Sequence, residues 1–282
     1  YLAVCSANLP EPTIGPNSST SATDHFNTVI YTGNGGTLAV DGFGHQPDFL
    51  WVKSRSITGN HRLTDSTRGV TNNVLANVND AEKGGSDAED IDSFDSDGFT
   101  VTQASYDDFN DGSDTYVAWS WKANGGTATA TINESGNNPA AVVQANPTAG
   151  FSIITYTGTG AAGTIAHGLG VAPNNIIVFG RDISNTNPMV QDGIRGVSDP
   201  FTDYIAFGNV NGVYADDATM WNDTAPTSSV FTLGNGANTN SDGKLYVAYL
   251  FASVEGYSKF GSYSGNGNVD GAFVHLGFRP AF

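Results

Sequence analysis

The 282-residue chain reads as all-β, a tandem of antiparallel β-sandwiches of jelly-roll type, and three observations predict it. Glycine is abundant at 35 residues while Met numbers 2 and Lys plus Arg only 11, a composition poor in helix formers and rich in turn formers. Apolar alternation comes in short runs bounded by Gly, Asn, Asp and Pro, and no amphipathic run of about ten residues or more is present. The same strand and turn are also written more than once: FNTVIYTGNGG begins at Phe26, FSIITYTGTGA at Phe151 and FGSYSGNGN at Phe260.

The opening, YLAVCSANLPEPTIG, has neither the basic n-region nor the long apolar run of a signal peptide. Residues 1–25 read as the tail of a strand from an upstream domain followed by a Pro-containing connector, so the chain reads as a piece of a longer polypeptide. Residues 26–124 follow as a first sandwich, with strands at 26–32, 37–41, 48–54, 60–65, 72–77, 98–104 and 115–122, roughly seven in about 100 residues. Alternation assigns its inward face to Ile30, Phe49, Trp51, Phe99, Val117 and Trp119. Residues 125–150 read as a structured linker whose Thr/Ala alternation forms one edge strand, with Asn-Pro turns at Asn138 and Asn146.

Residues 151–256 repeat the first unit. Gly42-Phe-Gly-His-Gln-Pro47 answers to Gly168-Leu-Gly-Val-Ala-Pro173, PDFLWVKSR to PNNIIVFGR, TDSTRGV to QDGIRGV, DGFTV to SVFTL and TYVAWSWKA to LYVAYLFAS. Ordered matches at a spacing of about 126 residues are the signature of duplicated units. The inward face here is expected to carry Ile154, Ile177, Phe179, Phe231, Val247 and Tyr249. Residues 257–282 start the motif again, closing on His275-Leu-Gly-Phe-Arg-Pro280. A segment this short buries no core of its own, so it reads as the start of a third repeat.

Net charge narrows the partners. At −17 the chain repels nucleic-acid phosphate and anionic lipid, and no run approaches the ~18 apolar residues of a membrane span, so neither nucleic acid nor membrane insertion is expected. Cys5 is the only cysteine, which leaves stability to the core or to neighbouring subunits.

The motifs ANLPEPTI, FNTVIYTGNGG, the run from Phe43 to Arg55, SFDSDGFTV (Ser93 to Val101), YVAWSWKANGG (Tyr116 to Gly126) and the run from Ala149 to Val178 together resemble a family of repeated β-sandwich domains of undefined activity. That family occurs in virion structural and tail-fibre-like proteins of marine bacteriophages, often after a lectin-like sandwich. The resemblance covers nearly the whole chain and implies a virion component, but no catalytic or ligand residue. The second unit departs from the first where Lys53 becomes Phe179 and Trp121 becomes Phe251, so a ligand surface at those positions need not be shared.

Candidate chemistry is sparse. Gly158-Thr-Gly-Ala-Ala-Gly163 fits a dinucleotide fingerprint, but TIAHGLGVAP follows where a helix is required, so a hairpin turn is the reading. Asp95, Asp97 and Gly98 form a D-x-D-G fragment in an acidic run, a place for Ca²⁺ if it binds at all. The later ligands of an EF-hand are missing, and an Asx-type turn in a solvated loop is the plainer reading. Tyr106-Asp-Asp-Phe-Asn-Asp111 holds paired carboxylates of the kind a glycosidase needs. No His or Cys spacing fits zinc. Asp65 with Arg68, and Asp192 with Arg195, recur at i, i+3 in both units and read as structural ion pairs. Trp221, in a loop without periodicity, and Tyr106 are the aromatics most suited to stack on a sugar, beside Trp51, Trp121 and Tyr204, although a loop tryptophan more often plugs a core edge or a subunit interface and alternation turns one of Trp51 and Trp121 to the core.

The expectation is therefore a non-enzymatic bacteriophage virion structural protein on the particle surface, a tail fibre or appendage displaying host-contacting loops, without a cofactor. Its partners would be further copies of itself, with a trimer as one arrangement, and other virion proteins. The alternatives are a host-surface glycan-binding module, marked by a shallow aromatic-lined pocket, and a glycan depolymerase, marked by a cleft with converging carboxylates.

Overall fold

The computed structural model describes residues 12–15, 18–84, 90–102, 109–193, 203–206 and 215–280. The protein is all-β, and among the described residues every strand pair is antiparallel. In the first half, β1 (Phe26–Thr32), β8 (Thr115–Trp121), β3 (Phe49–Ser54), β4 (Arg62–Asp65) and β5 (Gly69–Leu75) form a five-stranded sheet in the order β1-β8-β3-β4-β5. A three-stranded sheet, β2 (Thr37–Asp41), β7 (Gly98–Thr102) and β6 (Asp90–Asp95), covers one face. Val40, Phe99 and Val101 of the small sheet meet Leu50, Val52, Tyr116 and Ala118 of the large one in a buried core.

The second half contains the order β11-β18-β13-β14-β15 within an eight-stranded sheet. These strands are β11 (Phe151–Thr157), β18 (Leu245–Phe251), β13 (Asn175–Gly180), β14 (Met189–Asp192) and β15 (Asp203–Ala206). The sheet is lengthened by β16 (Ala215–Asp216) at one end and by β10 (Ala141–Asn146) and β9 (Ala130–Ile132) at the other. Its cover is β12 (Gly163–Ala166) paired with β17 (Val230–Leu233), with the short helices α1 (Ala218–Trp221) and α2 (Ala237–Asn240) nearby. Ile154, Val178, Tyr246 and Ala248 meet Ile165, Phe231 and Trp221 in the second core.

A third core lies between the two large sheets. Phe49, Leu63, Val74 and Ala123 pack against Phe151, Ile153, Phe179, Val247 and Tyr249. The molecule is thus two sandwiches set back to back, and each large sheet is apolar on both faces.

That layering corrects the face assignments. Phe99, Ile154 and Phe231 do line the sandwich cores, whereas Phe49, Phe179, Val247 and Tyr249, with Trp51 and Ile177 at its margin, belong to the layer between sandwiches. Ile30 is 60% exposed. Leu50, Val52, Tyr116 and Ala118, the residues between the ones expected, fill the first core. When both faces are covered, alternation carries no sign to say which is which.

Other expectations also shift. The acidic run taken as a solvated loop supplies β6, which pairs with β7 from Asp90 to Asp95. Residues 125–150 give two strands rather than one, and both lie in the second large sheet. The glycine-rich turns after β1 and β11 are not hairpins. β12 pairs with β17 and β2 with β7, so each turn carries the chain from the large sheet to the small one. In the apolar-Gly-x-x-Pro motif the glycine takes φ +78° at Gly44, +74° at Gly170 and +87° at Gly277, a left-handed conformation that favours glycine.

Candidate functional site at the seam between the sandwiches

The layer between the sheets begins with aromatic packing. The Phe49 ring lies 4.2 Å from that of Tyr249 and 5.9 Å from that of Phe151, measured between centroids, and Trp121 stands 5.2 Å from Phe49 and 6.0 Å from Phe251. β3 and β8 bring Phe49 and Trp121 into register, and β11 and β18 do the same for Phe151 and Phe251.

A buried polar network crosses the same layer. Arg68 donates to Asp65 at 2.5 Å, to Glu82 at 2.5 Å, to the Leu63 carbonyl at 3.1 Å and to the Tyr249 hydroxyl at 2.8 Å. Tyr249 in turn donates to Asp65 at 2.8 Å. Glu82 also receives Arg181 of the second half, through Nε at 2.9 Å and Nη2 at 2.8 Å, a two-pronged geometry suited to guanidinium and carboxylate. The Arg68 and Asp65 side chains are fully buried.

Electrostatics follow from that burial. Burial opposes the charge on Arg68, yet Asp65, Tyr249 and Glu82 around it hold its pKa above the ordinary value. Burial likewise pushes Glu82 up, but Arg181 and Arg68 outweigh it and hold the carboxyl below its usual range. Burial raises the Tyr249 phenol. The Arg68–Asp65 pair at its centre is sealed from solvent, while Glu82 and Arg181 at its margin stay partly open to it.

A second hub lies at the crossing from one half to the other. Asp48, fully buried, accepts the backbone N–H groups of Ala123 at 2.7 Å and of Gly125 and Gly126 at 2.8 Å, together with the Ser66 hydroxyl at 2.7 Å. Gln144 of β10 donates to Ser66 and Thr67 and accepts from Asn124 and Gly126.

Where the seam meets the C-terminal segment a pocket of about 480 Å³ opens, within the usual range for ligand sites. Phe26, Trp121, Phe151, Phe251, Phe260 and Phe278 give it an apolar aromatic wall, and Asn175, Ser258 and Lys259 are among its few polar groups.

Over residues 21–282 the sequence matches a family described as a domain of unknown function, DUF7483. The chain belongs to that family. The DUF7483 match takes in both sandwiches, the seam and the described C-terminal segment. No curated protein matches the chain. Among solved structures, one titled "Crystal Structure of the STIV MCP" aligns over 80% of this chain and 84% of that one, at 10% identity and a TM-score of 0.22.

The sequence-predicted residues of this DUF7483 chain fall in different places. Trp221 is not an exposed platform: α1, capped by the Asp217 carboxylate on the Thr219 N–H, turns it fully into the second core. A loop without periodicity hid that four-residue helix. Tyr106 and Arg195 lie outside the described residues. Asp192 ends β14. Asp95 accepts from Ser93 and Thr100, both at 2.8 Å, and Asp97 accepts from the Gly42 and Gly44 N–H groups at 3.3 and 2.5 Å. Both carboxylates therefore clasp the ends of β2, β6 and β7. Among the described residues no group of three or more His, Cys, Asp or Glu side chains is arranged to hold a metal. Asp65 and Arg68 lie in the seam network. Glu82 carries no signal in the sequence, whereas Arg181 and Tyr249 stand in the repeated blocks PNNIIVFGR and LYVAYLFAS with no mark that their polar ends would meet.

Proposed function

We propose that this chain is a non-enzymatic structural component of a bacteriophage virion, a fibre or appendage module at the particle surface, whose halves are diverged copies of one sandwich unit. The seam is the observation that carries this reading. Two sandwiches joined by a flexible linker would swing independently, whereas a continuous aromatic core and a buried charge network hold these at one fixed angle. A stiff spacer needs that property, because contacts displayed at a distance gain avidity only when their geometry is kept. The resemblance to repeated domains of marine-phage virion proteins and the acidic, self-repelling surface support it. Self-association, with a trimer as one arrangement, belongs to the same proposal.

The test is the particle itself. Phage carrying this sequence, purified on a density gradient, should contain the chain at a constant ratio to a capsid protein, and antibody to it should decorate the particle surface. A chain abundant in infected cells and missing from particles would reject the reading.

A second reading, a host-surface glycan module, is favoured by the aromatic wall of the seam pocket. Glycan-array binding lost on Trp121→Ala would support it over a purely mechanical role.

A further inference from the structure

The third copy of the repeated motif differs from the first two in charge. Lys259 precedes its opening phenylalanine, where His25 precedes Phe26 and Gly150 precedes Phe151. In its Gly-x-x-Pro turn the variable pair is Phe278-Arg279, where the earlier copies have His45-Gln46 and Val171-Ala172. Both differences fall on the seam pocket, which Lys259, Phe260, Phe278 and Arg279 all line. Acidic residues number 28 in this chain against 11 Lys and Arg, yet among the described residues this wall holds two cations and no carboxylate. Lys259 and Arg279 are exposed, and neither is in an ion pair among the described residues.

We propose that the seam pocket takes the end of a glycan whose terminal sugar carries a carboxylate. This deepens the glycan reading of the same pocket and rests on it. The rings of Phe260 and Phe278 are half-buried, and Phe278 meets no other ring among the described residues, so the apolar face of a sugar can stack there. Arg279 offers the paired N–H groups that a carboxylate accepts, and Lys259 adds a second cation. The Asn175 amide and the Tyr257 hydroxyl, also in the wall, make no side-chain hydrogen bond among the described residues and are left for sugar hydroxyls. Charge also limits how much of the ligand is acidic. Salt screens carboxylates farther away than about 8–10 Å, so two local cations attract a single carboxylate, while a long polyanion still meets the net charge of −17.

The test is an array of saccharide pairs that differ only in the terminal sugar, a uronate in one member and its carboxyl-reduced alcohol in the other, probed with the full chain. The uronate member should bind about tenfold more tightly, the scale of one charge-assisted hydrogen bond. Lys259→Gln combined with Arg279→Gln should bring that ratio close to one. Both side chains are exposed, so the variant should melt with the wild-type chain. Trp121→Ala should abolish binding of both members. Equal binding of the two members by the wild-type chain would overturn the carboxylate proposal and leave the glycan reading standing. A uronate preference that survives the double substitution would do the same. A chain that binds neither member at millimolar concentration would overturn both.

Discussion

In the first half the stacked rings of Tyr31 and Tyr116 stand 5.1 Å apart at 17°; in the second, Tyr156 and Tyr246 stand 5.1 Å apart at 14°. Tyr31 donates to the Phe109 carbonyl and Tyr156 to that of Thr239, while Asp111 N–H donates to Tyr116 and Ser241 N–H to Tyr246. Asn110 accepts from Asn34 N–H and donates to the Gly36 carbonyl, and Asn240 accepts from Thr159 N–H and donates to that of Ala161. A Cβ on Gly33 would lie 2.1 Å from the Asp111 carbonyl oxygen, and one on Gly158 would lie 2.2 Å from that of Ser241, so both positions require glycine. These clasps share geometry although the loops around them share little sequence. Among the described residues, what differs lies outside the clasp: the small sheet has three strands in one half and two in the other, and the large sheet gains β9 and β10 only in the second. The difference teaches that the strand order depends on the clasp and the core, while edges and covers vary freely around them.

The largest expected effect comes from the seam that the halves share. Arg68→Met strips buried Asp65 and Glu82 of a partner, and loss of one member of a buried ion pair costs about 3–5 kcal/mol. The intact chain should unfold in one transition by circular dichroism and tryptophan fluorescence together. The variant should show two, with the halves melting apart, and a single unshifted transition would break the comparison.

The clasps should cost less and cost alike. Asn110→Ala and Asn240→Ala each leave buried backbone groups unpaired, worth about 1–3 kcal/mol apiece in urea titration. A large effect in one half and none in the other would show that the matched geometry hides unequal roles.

Acid should weaken both halves. Burial holds the pKa of His45 in the first half and of His167 in the second below the ordinary 6.5. The unfolded chain therefore binds their protons first, so the stability these neutral rings contribute is complete above pH 6.5 and declines as pH falls below it. His45→Gln and His167→Gln should each flatten the decline in a melting series from neutral to mildly acidic pH.

The smallest effect is expected at Trp221, whose indole N–H is buried with no acceptor among the described residues. Trp221→Phe keeps most of the apolar volume and removes that donor, so the loss should be about 1.5 kcal/mol or less by thermal melting. A drop several-fold larger would mean that the indole N–H has a partner.

The candidate site was legible only in part. Asp65 and Arg68 stand out because i, i+3 opposite charges recur in both halves, and Phe49, Trp121 and Phe151 because aromatic residues in short alternating runs must be buried somewhere. Glu82 stood in a loop with no periodic neighbour, and its partners Arg68 and Arg181 are distant in sequence. Trp221 was misplaced because a four-residue helix is too short to leave a 3.6-residue period.

By itself the sequence determined the all-β class, the places of most strands and the glycines at the tight turns, because these depend on local backbone preference and on apolar residues spaced along one segment. The tertiary structure alone decided which face of each large sheet looks into its own sandwich and which looks across the seam. It also decided that residues 125–150 join the second sheet, and that Arg68, Glu82 and Arg181 meet. Those outcomes depend on distant strands competing for the same apolar surfaces, and a strand covered on both faces carries no local mark of which neighbour wins.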